Sequence, residues 1–373
     1  MKILISCGGT AGHINPAIAV ADEIRHGREK ADILFICRGS ELEKRLIGKS
    51  GYAFMAVNIL PLSRSFSLSG FSALLSIPRS VTAAGKIIDD YRPDSVFATG
   101  GYVCYPAVKA AQKRRIPTVL HESNATPGLA VRLLGRRADT VLCGMPPRTE
   151  EYPRGISPIF CGTPVRSGFF TCTRTESRRS LGIPDNAFFI LSFGGSLGAE
   201  VINGAICPLM HTLSKRNENI YWRHGAGTRY FADIKNQYPE LCTASGRLRI
   251  SDYINDMEYA MNAADIVICR SGALTLAEAA ASGAVPIMIP SPNVTEDHQT
   301  KNARLLADAG AGILVPENRC TGDTLLALIN ELRPPDSRLS EMKKKLKSIA
   351  VTDAANRAAK IVLEYAHKHS ASN

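Results

Sequence analysis

Apolar residues along this chain come in short, nearly unbroken runs rather than in strict alternation. Lys2–Ser6, Asp32–Cys37, Ser95–Ala98, Thr118–His121, Thr140–Cys143, Phe188–Phe193, Ile266–Cys269 and Val285–Pro290 each read as a strand, with helix-like segments between them. Unbroken runs suit parallel strands buried on both faces. Their alternation with helices predicts α/β architecture with a doubly wound parallel sheet. Ligands of such sheets bind beyond the carboxyl ends of the strands, so the chemistry is sought in the loops that follow them.

The first run ends in Gly8-Gly9-Thr10-Ala11-Gly12, after which Asn15 and Pro16 read as the N-cap and first residue of an Ala/Ile/Val helix. Half a chain later, Phe188–Phe193 ends in Gly194-Gly195-Ser196-Leu197-Gly198 and leads into the helix-like Ala199–Met210. The recurrence predicts two similar α/β units. Cys161–Arg166, rich in turn formers, reads as their linker, and Ala354–His367 as a final helix capping one unit. Neither turn is a dinucleotide fingerprint, because Thr10 and Ser196 occupy the place of its second glycine. A Walker loop ending in Gly48-Lys49-Ser50 fails as well, since Glu43 stands where it needs glycine. What remains is Cβ-free backbone beside a helix N-terminus, a device for holding phosphate, with Gly100-Gly101 as a third instance.

Composition narrows the class. The 373 residues are enough for two domains, and the net charge of +11 favours anionic partners. No apolar run is long enough to span a bilayer, and the N-terminus lacks a signal-peptide pattern. Ten cysteines without a CxxC read as reduced thiols of a cytoplasmic protein. Lys343-Lys344-Lys345-Leu346-Lys347 reads as a solvated helix face. A single Trp and no interleaving of aromatic with basic residues argue against nucleic acid.

Three places carry candidate chemistry. His13 follows the first turn, and its imidazole suits a general base near neutral pH. Arg270-Ser271-Gly272-Ala273-Leu274-Thr275-Leu276-Ala277-Glu278 follows a strand and opens an Ala-rich helix ending near Gly283. Its N-terminus suits a diphosphate, and Glu278 suits a ribose diol. Gln299 and Asn302, three apart on one helical face beside His298, suit sugar hydroxyls.

Gly8-Gly9-Thr10-Ala11-Gly12-His13, Thr99-Gly100-Gly101-Tyr102-Val103, His121-Glu122-Ser123-Asn124, Gly194–Ala199 and Cys269–Glu278 resemble, in order, the signature blocks of the MurG family. These are UDP-N-acetylglucosamine transferases that act on undecaprenyl-pyrophosphoryl-N-acetylmuramoyl-pentapeptide (lipid I), making lipid II for peptidoglycan, cell-wall growth, cell shape and division. The resemblance implies a GT-B glycosyltransferase fold, two Rossmann-like parallel-sheet domains facing across a cleft. Residues 1–163 would form an acceptor and membrane-contact domain, joined by a C-terminal helix at 352–369, and 164–351 a UDP-GlcNAc domain. It further implies that Ile254 meets uracil, Glu278 the ribose, Ser196 with Ala273, Leu274 and Thr275 the diphosphate, and Gln299 the sugar. Arg166 would meet the donor too, while Thr10, Ala11, Gly12 and Asn124 reach the sugar and the pyrophosphate side of the acceptor. Ala11, Ser123, Leu197 and His298 depart from the family pattern, so sugar contacts there do not carry over.

Single displacement at the anomeric carbon, with His13 as base, follows from this resemblance. No metal or other cofactor is expected, because the DxD-type carboxylate pairs of metal-dependent sugar transferases are missing. A peripheral site on the cytoplasmic face of the bacterial membrane is expected to involve Phe66, Leu68, Phe71, Leu74, Leu75 and Arg79, since Pro61–Ile88 holds no acidic side chain. The alternatives are another GT-B sugar-nucleotide enzyme (a glycolipid synthase or a UDP-GlcNAc 2-epimerase) and a non-catalytic sugar-nucleotide binder.

Overall fold

The computed structural model describes residues 1–27, 30–59, 68–243, 245–333 and 337–371. The chain forms two compact units, one of Met1–Arg166 with Asp353–Asn373 and one of Ser167–Thr352.

Among the described residues, seven parallel strands make the sheet of the first unit: β1 (Lys2–Ser6), β2 (Asp32–Cys37), β3 (Ala53–Ala56), β4 (Ser95–Ala98), β5 (Thr118–Glu122), β6 (Thr140–Cys143) and β7 (Ile159–Phe160). Their order is β3-β2-β1-β4-β5-β6-β7. The second unit has β8 (Phe188–Phe193), β9 (Ile220–Gly225), β10 (Leu248–Ser251), β11 (Ile266–Cys269), β12 (Val285–Met288) and β13 (Ile313–Leu314), in the order β10-β9-β8-β11-β12-β13. In both, the first strand lies between the second and the fourth, so strand order reverses beside it. Loops leaving β1 and β4, or β8 and β11, diverge to opposite faces and open a crevice at that point.

The sequence pattern misses β3, β7, β9, β10 and β13. Four of these are the outermost strands and are short, while β9 alternates buried residues with half-buried Tyr221 and Arg223. The first helix spans Ala11–His26, with Thr10 as its N-cap and Pro16 in its interior. The expectation that Asn15 and Pro16 open it is therefore corrected: the turn itself supplies the helix start. Pro16 has no N–H, so the Gly12 carbonyl has no helical donor there.

The C-terminal helix, Ala354–Ser370, packs on helix Ala11–His26 and on β4 through Ala358, Ala359, Val362 and Ala366. Small side chains permit the close approach, and Asn356 Nδ2 bonds Glu23 across the contact at 3.1 Å. Cys161–Val165 are buried within the first unit, with Cys161 in its core, and the break between units follows Arg166.

An ion cluster closes the base of the second unit. Asp265, just before β11, takes Arg174 at 2.7 Å, Arg178 at 2.8 Å, Lys343 at 2.8 Å and the Phe189 N–H at 3.0 Å. Lys343 is thus not part of a purely solvated face; its neighbour Lys344 is exposed, but Lys343 is turned inward to a carboxylate. Burial would raise the Asp265 carboxyl, yet Lys343 and Arg174 hold it below the usual range. Such a depressed group adds stability above its ordinary value, and the contribution is lost as pH falls through the lowered one. Arg178 is only 1 % exposed, so removing its partner leaves a buried charge. Asp265→Asn is expected to cost about 3–5 kcal/mol at pH 7 in urea unfolding; a cost below about 1 kcal/mol would show the cluster to be dispensable.

Candidate functional site

The motif residues gather at the two reversal points. In the first unit, helix Ala11–His26 starts directly after the turn that leaves β1, which puts His13 in its first turn. Its Nδ1 lies 2.9 Å from the Thr99 carbonyl oxygen, and Thr99 Oγ1 donates back to the His13 carbonyl at 2.6 Å. A carbonyl only accepts, so Nδ1 carries the proton and Nε2 of the neutral ring holds the lone pair. Gly100 and Gly101, both at positive φ, lie against the ring; a Cβ at Gly101 would sit 3.4 Å from Nε2. At Gly101 a Cβ would crowd the ring, whereas at Gly100 it would make ordinary contact, so there the positive φ rather than the imidazole calls for glycine.

The loop after β5 is organised by Glu122, 4 % exposed. It accepts the N–H and the side-chain amide of Asn124, each at 3.0 Å, and the Gly128 N–H at 2.7 Å. The Asn124 amide is thereby oriented, whereas His121 is closed off: its Nε2 bonds the Gly162 carbonyl at 2.9 Å and its Nδ1 faces Ser123 Oγ at 3.4 Å. Burial, with His13 nearby, lowers the His121 imidazole to about 4. Thr10 is exposed, and Ala11, Gly12 and Arg166 are half-buried.

In the second unit the loops after β8, β9 and β10 interlock through backbone. A Cβ at Gly198 would lie 2.1 Å from the Ala226 carbonyl oxygen, and one at Gly227 2.1 Å from the Gly198 nitrogen. The Gly227 N–H in turn bonds the Asp252 carbonyl at 3.1 Å. Ser196 is half-buried in this knot, and Ile254 packs its side chain on Gly225. Beneath runs a buried polar chain. Trp222 Nε1 donates to Ser192 Oγ at 2.8 Å, Ser192 Oγ meets His224 Nδ1 at 2.8 Å, and His224 Nε2 meets Asn203 Oδ1 at 3.0 Å. Asn203 Nδ2 ends the chain on the Ala226 carbonyl at 2.9 Å. Burial lowers the His224 imidazole to about 4.

Helix Ala273–Ser282 opens after β11 from its N-cap Gly272, with Ala273 and Leu274 buried, Thr275 half-buried and Glu278 6 % exposed. Arg270 ties this loop to the one after β12, donating to the Ile289 and Pro290 carbonyls and pairing with Glu317. Gln299 is fixed twice: its side-chain oxygen accepts the Ser291 N–H at 2.9 Å and its carbonyl accepts Ser271 Oγ at 2.8 Å. Asn302 is fully buried and donates to the Ser271 carbonyl, which makes it a brace rather than a sugar contact. Among the described residues no group of three His, Cys, Asp or Glu is arranged to hold a metal ion.

A model of the glycosyltransferase family 28 N-terminal domain matches residues 3–143, and one of its C-terminal domain matches 189–358. A protein of Acetivibrio thermocellus named UDP-N-acetylglucosamine–N-acetylmuramyl-(pentapeptide) pyrophosphoryl-undecaprenol N-acetylglucosamine transferase is 37 % identical over 362 residues, 97 % of each chain. The chain belongs to the MurG family. The crystal structure of Acinetobacter baumannii MurG matches with a TM-score of 0.72 at 26 % identity, covering 97 % of this chain and 99 % of that one. A UDP-GlcNAc 2-epimerase from Neisseria meningitidis matches with a TM-score of 0.65 at 16 % identity, covering 99 % of this chain and 100 % of that one, which shows the shared GT-B fold alone.

At the four positions read from the sequence as departures from the MurG pattern, Ser123 is buried on His121 and Leu197 is 66 % exposed, while Ala11 and His298 are half-buried. Sequence reasoning missed Glu122 as organiser of its loop, and Asn203, His224 and Gly227 altogether. Only Gly225-Ala226-Gly227 after a strand offered a local signal.

His121 and His224 take protons at about 4 in the fold and near 6.5 in the unfolded chain. Between those values the unfolded state binds more protons, so stability is full above about pH 6.5 and falls as pH drops toward 4. The slope is up to about 1.4 kcal/mol per pH unit for each histidine. Urea unfolding of His224→Gln from pH 4 to 7 is expected to show a shallower pH dependence than the parent chain. An unchanged slope would show that His224 is not held neutral.

Proposed function

We propose that this chain transfers N-acetylglucosamine from UDP-N-acetylglucosamine to the 4-hydroxyl of the muramic acid of lipid I, yielding lipid II in peptidoglycan biosynthesis. Full-length kinship to transferases of that name carries the reading. It is an N-acetylglucosaminyltransferase, and the residues below are assigned to its chemistry.

His13 is the base. Its Nε2 takes the hydroxyl proton as O4 bonds to C1 of the sugar; the bond from C1 to the diphosphate oxygen breaks, its electron pair leaves with UDP, and configuration inverts. The Nδ1–H bond to Thr99 supports this role by fixing the tautomer and steadying the imidazolium that forms. Thr10, Ala11, Gly12 and Asn124 line the acceptor side. In the second unit the diphosphate meets Ser196 and the Ala273–Thr275 helix start, whose positive dipole end stabilises developing charge without a metal. Glu278 takes the ribose hydroxyls, the Ile254 backbone the uracil, Gln299 the sugar, and Arg166 adds positive charge toward the donor.

Lipid I is membrane-borne, so this reading includes peripheral binding on the cytoplasmic face of the bacterial cell membrane. No described helix is long and apolar enough to cross a membrane. Of the expected contact residues, Phe66 lies outside the described residues, as do the side chains of Leu68, Phe71, Leu74 and Leu75; Arg79 is exposed. Leu129 and Leu133, one helical turn apart, are 57 % and 59 % exposed, close in sequence to Arg132, Arg136 and Arg137. Apolar side chains among cations support binding to an anionic leaflet, each charge adding about 1 kcal/mol.

UDP release from UDP-N-acetylglucosamine, assayed with and without a lipid I analogue, tests the function: release is expected only with the acceptor. His13→Ala is expected to lower kcat about 10²-fold or more, as for a general base, with donor KM within about twofold. Acceptor-independent release rejects the transferase reading, and wild-type turnover of the variant rejects the base. For the membrane, sedimentation with phosphatidylglycerol-containing vesicles is expected to exceed that with pure phosphatidylcholine and to fall in Leu129→Glu/Leu133→Glu. Equal binding to both vesicles by both proteins would exclude this face.

A further inference from the structure

One fully buried carboxylate has no part in the chemistry above. Glu43 lies in helix Glu41–Lys49 and is 0 % exposed. Its Oε2 accepts the Ser40 N–H at 2.8 Å, and Ser40 Oγ caps the same helix by accepting the Glu43 N–H. That reciprocal pair is an ordinary capping box. Its other oxygen does something a cap does not need: Oε1 leaves its own helix and accepts the Gly9 N–H at 2.9 Å, in the turn that leads to His13.

We infer that Glu43 is a positioning residue for His13, acting through the glycine turn; the inference rests on the transferase reading above. Gly8 (φ +154°) and Gly9 (φ +85°) adopt conformations that other residues rarely take. A Cβ at Gly8 would sit 2.2 Å from Oε1 and 2.9 Å from Val103 Cγ1, so the turn is moulded against this carboxylate. From Gly9 the chain enters the Thr10 N-cap and the helical turn that carries His13. Two anchors therefore set the base: Thr99 and Gly100-Gly101 hold the ring, and Glu43 holds the backbone from which it projects. The same bond consumes one N–H of the turn and sets a carboxylate behind it.

Turnover and hydrogen exchange on Glu43→Ala, Glu43→Gln and Ser40→Ala test the assignment. Glu43→Ala is expected to lower kcat roughly 10- to 100-fold, the effect of a misplacement of about 1 Å, while donor KM stays within about threefold. Glu43→Gln keeps one oxygen acceptor and sets an NH2 against the other N–H, so it falls between. Ser40→Ala loses the cap but keeps the Gly9 bond, and retains wild-type kcat despite lower thermal stability. Hydrogen exchange over residues 7–13 rises in Glu43→Ala and not in Ser40→Ala. Wild-type kcat in Glu43→Ala, or an equal loss in Ser40→Ala, overturns the inference. Exchange does not depend on turnover, so if the parent chain transfers no sugar the transferase reading fails on its own, and unchanged exchange in Glu43→Ala still overturns the positioning role.

Discussion

Each half of this chain hangs on one steric constraint: where the first strand turns into its helix, other atoms approach so closely that no Cβ fits. At Gly8 the intruder is a carboxylate oxygen 2.2 Å from where a Cβ would be; at Gly198 it is a backbone carbonyl at 2.1 Å. Because β1 and β8 sit beside the reversal in strand order, these turns lie where loops part to opposite faces. The crevice that results is a consequence of topology. What fills it with usable geometry is the close packing that only glycine allows, since it fixes backbone that would otherwise be a mobile loop.

That constraint explains what the sequence made legible. Strands flanking each reversal are buried on both faces and read as apolar runs, and the glycine turns announce themselves, so the two-unit GT-B architecture is readable in advance. The outer strands are not: β7 and β13 are two residues each, and β9 places Arg223 and His224 in a ladder where the pattern expects apolar side chains. Pro16 misled for a related reason. It looks like a helix opener, but the turn had already started the helix at Ala11. Within the site, residues whose role is local, such as His13 and the Ala273–Thr275 helix start, are legible. Residues that act across the fold are invisible to spacing: Glu43 reaches Gly9 from the next helix, and Asn203 reaches Ala226 from a helix on the sheet's flank.

These distant partners share a physical style. Glu43, Glu122 and the Ser192–His224–Asn203 chain are buried polar groups with their hydrogen bonds made to backbone or to one another. Buried polar groups are costly when unpaired and rigid when satisfied. Each ends on a loop at the crevice, so each converts core rigidity into loop position. Asp265 uses the same style at the opposite end of its sheet, where it joins Arg174, Arg178 and Lys343 and serves stability rather than chemistry.

The two turns look alike but are set electrostatically apart. Behind the first stands a carboxylate, which takes one N–H and offsets the positive end of the helix that follows. Behind the second stand an asparagine and a histidine that burial keeps neutral down to about pH 4, and the carboxylate of the helix there, Glu200, lies exposed in the first turn rather than buried behind the backbone. In the proposed reaction the first turn serves a neutral hydroxyl and a base that must become cationic, for which a nearby negative charge is favourable. The second serves a diphosphate that gains charge as it leaves, for which a turn backed by neutral groups is favourable. Two similar α/β units thus carry two different sites because the residues behind their turns differ, while both turns are bound by their lack of a Cβ.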